Sequence, residues 1–485
     1  MPFPINLPTT SSLSLPTHFQ SPTHRSLPHA ATTHRSVLRA QLKTYKRLPP
    51  SQQASHLPSL LSALNAYLPY LLALSTGLNP RNSSIDVILQ QEPTPEWRAT
   101  LTSRTLSDRS LSNKRTKTTG IDAEIGFVLS TLGYIHTLLA REALRGLTRA
   151  GVKPEDKTAA TTKAMKELLD AHSVHTCLAN RVQGHSSEGG ELPLDIGFPV
   201  QSALAALALA EATLLPVMKE DPYPSALAEE RSKTSTEWMV GTVKMASVRA
   251  GLFARLCVMA GEHAGRAVGL LGQEGSKLDE GLVRYAGDLR KAARAKACRF
   301  LGVDAEGRGE TGEAIAWIRG ARREVGGGKG AKEDTGKGLG KLRKDFKEKK
   351  EDRKIDQGGD EWGLDAGRAE EERVLEWLEK KWSKMNDTVS FETRALRSLG
   401  TVPPYEPLLA GMPSGREYHS PKPFEPPLLD EGTLASMRAP PDSTGDPVEG
   451  DQDDSDDDTV FYLSPAGAFP GTEKQYPPSS QAKYW

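Results

Sequence analysis

The chain has 485 residues, enough for two or three average domains or for one long helical stack with tails. Its 62 Lys and Arg balance its 62 Asp and Glu, so the overall charge singles out no polyionic partner. Three cysteines, far apart at 177, 257 and 298, exclude a disulfide-built scaffold and predict reduced, packed thiols in an intracellular protein. Charge is uneven locally. Residues 281–350 hold 19 Lys and Arg against 10 Asp and Glu, whereas 451–458 (DQDDSDDD) is almost wholly acidic. Solvated surface explains both, and so does a basic face for phospholipid headgroups or an acidic partner segment.

The opening MPFPINLPTTSSLSLPTHF lacks the basic and apolar regions of a signal peptide. Residues 1–35 are expected to be irregular, with a helix over 36–45 stopped by Pro49-Pro50. HLPSLLSALNAYLPYLLAL follows as a largely buried helix, with Pro58 in its first turn and Pro69 at a kink or break. From Ile85 to Thr119 the pattern is mixed, with an exposed Ser/Arg/Lys-rich stretch. Ile125, Val128, Leu129, Leu132, Ile135, Leu139 and Leu144 match the helical template over 121–147. A further helix is predicted over 157–178, closed by the loop QGHSSEGG.

Two apolar, alanine-rich stretches come next, Pro199–Met218 and Ser247–Leu271. Helices so rich in Ala approach one another closely, which suits a stacked scaffold better than an active-site crevice. A loop through Pro222 and Pro224 and a strand-like run near 238–243 join them. Gln201, Glu211 and Pro216 interrupt the first, making it too polar to span a bilayer, so any membrane contact is expected to be peripheral and Asn82-Ser-Ser a chance glycosylation match. Helices are predicted over 278–301 and 311–324, then a flexible Gly/Lys insertion about 326–358, then the helix AEEERVLEWLEKKWSKM. Residues 387–440 read as Pro-rich extended chain packed on the body, and 441–485 as a disordered acidic tail.

The fold class is therefore all-α, with minor short strands and irregular Pro-rich ends. Catalytic motifs do not emerge. HSVHTC brings His172, His175 and Cys177 together, but on a helix Cys177 points about 140° from His172 and about 160° from His175. No second ligand pair completes a zinc set, so the two read as helix-surface histidines. Gly336-Lys337 is followed by Gly338, not Ser or Thr, and Ala331 occupies the first glycine position of a phosphate loop. Glu370 and Glu371 read as a solvated helix face. The basic cluster of 98–117 lacks the aromatics of a single-strand binder, so nucleic acid is not expected as a partner. The expectation is a non-enzyme with no cofactor and no metal.

Several segments are specific: THRSVLRAQLKTYKRLPPSQQASHLPSLLSALNAYLPYLLAL, GELPLDIGFPVQSALAALALAEATLL, EWMVGTVKMASVRAGLFARLCVMAGEHAGRA, WLEKKWSKMNDTV and PSGREYHSPKPFEPPLLDE. Over about residues 1–440 these resemble the fungal pH-response regulators of the BRO-domain family, whose best-known relative is ALIX. The resemblance implies a boomerang-shaped BRO domain with a tetratricopeptide-like helical core, here spanning 36–386. It implies binding of the C-terminal amphipathic helix of the ESCRT-III core filament subunit, alongside other pH-signalling components. It further implies support for proteolytic activation of a pH-responsive transcription factor, from the cytoplasm, at endosomal or cortical plasma membrane. Carried over by matching ALAEATLL and LFARL, the family's partner-helix patch falls on Leu214, Leu252 and Leu256. Leucines at i and i+4 share a helix face and suit an apolar partner helix, although such leucines are usually core. The alternative is a peripheral membrane scaffold in endosomal trafficking that binds anionic lipid through its basic distal half.

Overall fold

The structure, a computed structural model, describes residues 2–79, 84–102, 115–148, 153–185, 192–232, 245–326, 363–392 and 402–438. The strand-like run at 238–243, the middle of the 98–117 basic stretch, the Gly/Lys tract from 327 onward and the acidic tail lie outside the described residues.

Helices dominate, and most pack against the helix that follows in sequence. α1 (Leu27–Arg47) pairs with α2 (Pro50–Gly77), which packs on α3 (Ile121–Arg145); α4 (Pro154–His185) and α5 (Phe198–Glu220) come next. α7 (Ser247–Gln273) lies on α5, α8 (Glu280–Gly307) on α7, α9 (Thr311–Glu324) on α8, and α10 (Arg368–Glu392) on α9. The short α6 (Tyr223–Ser232) leans on α10 and the short α11 (Tyr405–Ala410) on α9, while α12 (Glu431–Met437) closes the described chain. Such near-neighbour stacking buries each apolar face against the next helix, as in helical solenoids.

Local sequence explains the breaks. Leu48 precedes a proline and is extended (ψ 142°), ending α1; Pro50 then opens α2 at a position where a missing N–H costs nothing. α1 begins at Leu27, earlier than expected, because Leu27, Ala31, Leu38 and Leu42 already form its buried stripe. α2 runs unbroken through Pro58 and Pro69. The carbonyls these prolines leave without a helical donor belong to half-buried Ala54 and exposed Asn65, within reach of solvent. Pro222 and Pro224 do not make a loop but flank the start of α6, where proline fits the first turn.

Two antiparallel pairs of two-residue strands complete the described structure. β1 (Phe19–Gln20) aligns Phe19 with Leu89 of β2 (Ile88–Leu89), and β3 (Glu96–Trp97) aligns Trp97 with Thr116 of β4 (Thr116–Lys117).

Two buried charge networks lock the stack. Glu124 on α3 accepts from Arg35 Nε at 2.8 Å, Trp97 Nε1 at 2.7 Å and Tyr67 Oη at 3.2 Å, joining α1, α2, α3 and β3. Arg35 also donates to Ser11 O and Thr10 Oγ1, fastening the N-terminal segment. In the second network, fully buried Arg299 on α8 pairs with Asp221 at 2.5 Å and Glu371 at 2.6 Å. Lys296 reaches the same Glu371. Glu371 is thus no solvated residue; only its neighbour Glu370 faces water. Burial alone would raise the Asp221 carboxyl, but the Arg299 guanidinium holds it below the usual range.

Among the described residues, three helices are long and apolar enough to cross a membrane: Pro50–Gly77, Ile121–Arg145 and Phe198–Glu220. The polar residues of the last do not disqualify it. Its apolar window is instead 83% buried in this fold, against α4 and α7.

Candidate functional site

α5 is clamped between α4 and α7, and its small residues set the spacing. Ala203, Ala206 and Ala210 are buried on the α7 side, while Ala208 and Ala212 belong to the core shared with α3 and α4. With both flanks covered, α5 shows little of itself to solvent.

That clamp decides where the three leucines lie. Leu214 is 5% exposed and Leu256 1% exposed, both in the core between α5, α7 and α8. Leu252 is half-buried at the edge of that core. The structure therefore places all three in one apolar neighbourhood and brings only Leu252 to the surface. The i and i+4 spacing puts Leu252 and Leu256 on one side of α7, but a rotation of about 40° between them separates edge from interior.

Val248 extends the outward edge. It lies one turn before Leu252 and is 88% exposed, the most exposed of the large hydrophobic side chains among the described residues. The i−4 spacing from Leu252 was the available signal for it.

The chain after α11 crosses the same face. Arg416 N donates to Arg255 O, and Arg255 Nε donates back to Ser414 O, each at 3.1 Å. Gly415 sits so close that a Cβ there would stand 3.0 Å from the Met259 backbone. Further on, His419 Nε2 meets Ala212 O at 3.1 Å. Pro216, four residues after Ala212, has no N–H to offer that carbonyl, so the imidazole supplies the missing donor. A carbonyl only accepts, which assigns His419 the tautomer protonated at Nε2. Burial depresses its basicity despite the bond to Ala212, in keeping with a neutral ring. Residues 414–419 thus form a strap from the outer side of α7 to α5, ending the Val248–Leu252 edge one turn beyond Leu252.

His172 and His175 of α4 are not surface groups. His175 is buried, with Nδ1 2.7 Å from Gln201 Oε1, and Gly133 of α3 leaves the room its ring occupies. Burial pushes its pKa down to about 4. His172 Nδ1 meets Ala205 O at 2.9 Å, so both rings face α5. Burial pushes the Cys257 thiol up to about 12 and the Cys298 thiol to about 11, so both stay protonated and neither is an activated nucleophile.

No family model matches the chain. Among solved structures the ALIX BRO1 CHMP4C complex is similar, with a TM-score of 0.53 at 14% identity, covering 88% of this chain and 96% of that one. The all-α stack is therefore the fold of a BRO1 domain. In sequence the chain is 43% identical to the pH-response regulator protein palC of Emericella nidulans, over 97% of this chain and 99% of that protein. It is 25% identical to the palC of Cryptococcus neoformans var. neoformans serotype D, over 88% and 92%. The chain belongs to the palC family of pH-response regulator proteins.

Proposed function

We propose that this chain is a non-enzymatic adaptor in ambient, alkaline pH signalling. In this reading it docks the C-terminal amphipathic helix of the ESCRT-III core filament subunit on α7, with Val248 and Leu252 as the contact edge. Leu214 and Leu256 form the apolar floor that holds Leu252 in place. Recruitment from the cytoplasm to endosomal or cortical plasma membrane follows from that contact, and it supports proteolytic activation of the pathway's transcription factor.

The single observation that carries the reading is the 43% identity to a pH-response regulator over nearly the full length of both chains. The fold of a BRO1 domain solved with CHMP4C supports the partner class. An edge with one half-buried and one exposed apolar residue suits an amphipathic helix, whose own apolar stripe would cover it.

Complementation tests the pathway assignment. In a fungal strain lacking its palC, the intact chain is expected to restore growth at alkaline pH and processing of the transcription factor. Failure of the well-expressed intact chain to restore either refutes the assignment.

A further inference from the structure

The seam between α3 and α4, away from the α7 edge, carries a cluster of metal-ligating side chains. His136 comes from α3. Glu167 and Asp170 stand three residues apart on α4 and therefore share a face. His136 Nδ1 lies 2.7 Å from Glu167 Oε2, and one ligand atom from each of the three residues falls within 4.8 Å of the others. The His136 and Glu167 side chains are 13% and 15% exposed, largely enclosed yet open to an ion from solvent.

The donor set has a definite chemistry. Imidazole nitrogen suits zinc and its first-row neighbours, and two carboxylates lower the net charge of a divalent ion while leaving positions for water. Zinc takes histidine nitrogen at roughly 2.0–2.1 Å and carboxylate oxygen at about 2.0–2.2 Å, so two of its ligand atoms stand on the order of 3 Å apart. The His136–Glu167 pair already has about that separation, and a ligand atom of Asp170 lies within 4.8 Å of both. Two carboxylates one turn apart on a helix repel, and a cation between them removes the repulsion.

We propose that His136, Glu167 and Asp170 bind one divalent first-row transition ion, with water completing its shell, and that the ion clamps α3 to α4. The three positions are scattered over 35 residues of sequence, with only Glu-x-x-Asp contiguous, and no ligand motif of ordinary spacing announces them.

Calorimetric titration of zinc into the chelator-treated full chain tests this. The variants are His136→Gln, the near-isosteric Asp170→Asn, and two controls: His29→Gln at an exposed histidine of α1 and Cys177→Ser at the half-buried thiol. One equivalent of zinc is expected to bind saturably and raise Tm. His136→Gln and Asp170→Asn should each weaken binding by more than roughly tenfold, since loss of a mere outer-shell partner already costs that much. They should also abolish the rise in Tm, whereas both controls bind as the unaltered chain does. No saturable binding, or binding that survives both substitutions, overturns the site. Circular dichroism of the metal-free variants establishes that each is folded, and Asp170→Asn decides the matter if His136→Gln is not.

Discussion

His419 and Pro216 form a complementary pair across 203 positions of sequence: the proline withholds the N–H that would close the turn at Ala212, and the imidazole delivers one at 3.1 Å. A defect in one helix is thereby the anchor of a distant segment. His419→Ala is expected to cost about 1 kcal/mol, the net value of a hydrogen bond, and to speed proteolytic cleavage within residues 412–430. In a Pro216→Ala background the helix supplies its own donor. The cost of His419→Ala should then shrink by about 0.5–1 kcal/mol, read from a double-mutant cycle of denaturant unfolding.

Glu371 and Glu370 are adjacent in sequence and opposite in environment. Glu371→Gln strips the counter-charge from Arg299 and Lys296 and is expected to cost about 3–5 kcal/mol. Glu370→Gln should stay within about 0.5 kcal/mol of the unaltered chain, because the residue faces solvent. Chemical denaturation of the two variants side by side checks the contrast.

His175 makes stability fall on acidification. The unfolded chain takes up this proton near pH 6.5, whereas the folded chain resists until about pH 4, because the ring is buried against Gln201 and Tyr134. Between those values the unfolded state binds more protons, so stability rises with pH through the window and is fully present above it. The loss from pH 6.5 down to pH 4 should approach roughly 3 kcal/mol from this group. His175→Gln, which cannot titrate, is expected to flatten that part of the profile.

Leu252 and Leu256 should part ways on substitution. Leu256→Asp places an unpaired charge among Phe253, Ala260 and Leu289 of the shared core and is expected to destabilise the fold by about 3–5 kcal/mol. Leu252→Asp sits where solvent reaches the side chain and should leave the helical circular dichroism unchanged.

Much of the fold was legible in the sequence because helical spacing is a local signal. Thr311–Glu324 was bounded to the residue, and α5 and α7 to within two. The misread places are those where meaning depends on distant chain. Pro222 and Pro224 look like a loop until Arg299 and α10 hold Asp221 and α6 in place. Glu371 looks solvated until α8 is laid against it, and His175 looks superficial until Gln201 arrives from α5. At the candidate face, family resemblance singled out Leu214, Leu252 and Leu256, but a leucine's exposure follows from packing on both flanks, and only Leu252 of the three reaches the surface. The strap at 414–419 had no local signature, since every acceptor in its three bonds is a backbone carbonyl that any residue would supply.

Docking of an amphipathic helix on the α7 edge is open to a direct binding measurement. The measurement is titration of the full chain with the C-terminal helix peptide of the ESCRT-III core filament subunit, comparing the unaltered protein with Leu252→Asp and Val248→Asp. Each buried apolar contact contributes roughly 1.5–3 kcal/mol, so Leu252→Asp should weaken binding by about ten-fold to a hundred-fold or more with the fold intact, and Val248→Asp should weaken it as well. Equal affinity for the peptide in the unaltered chain and both variants would rule out the α7 edge as its docking site.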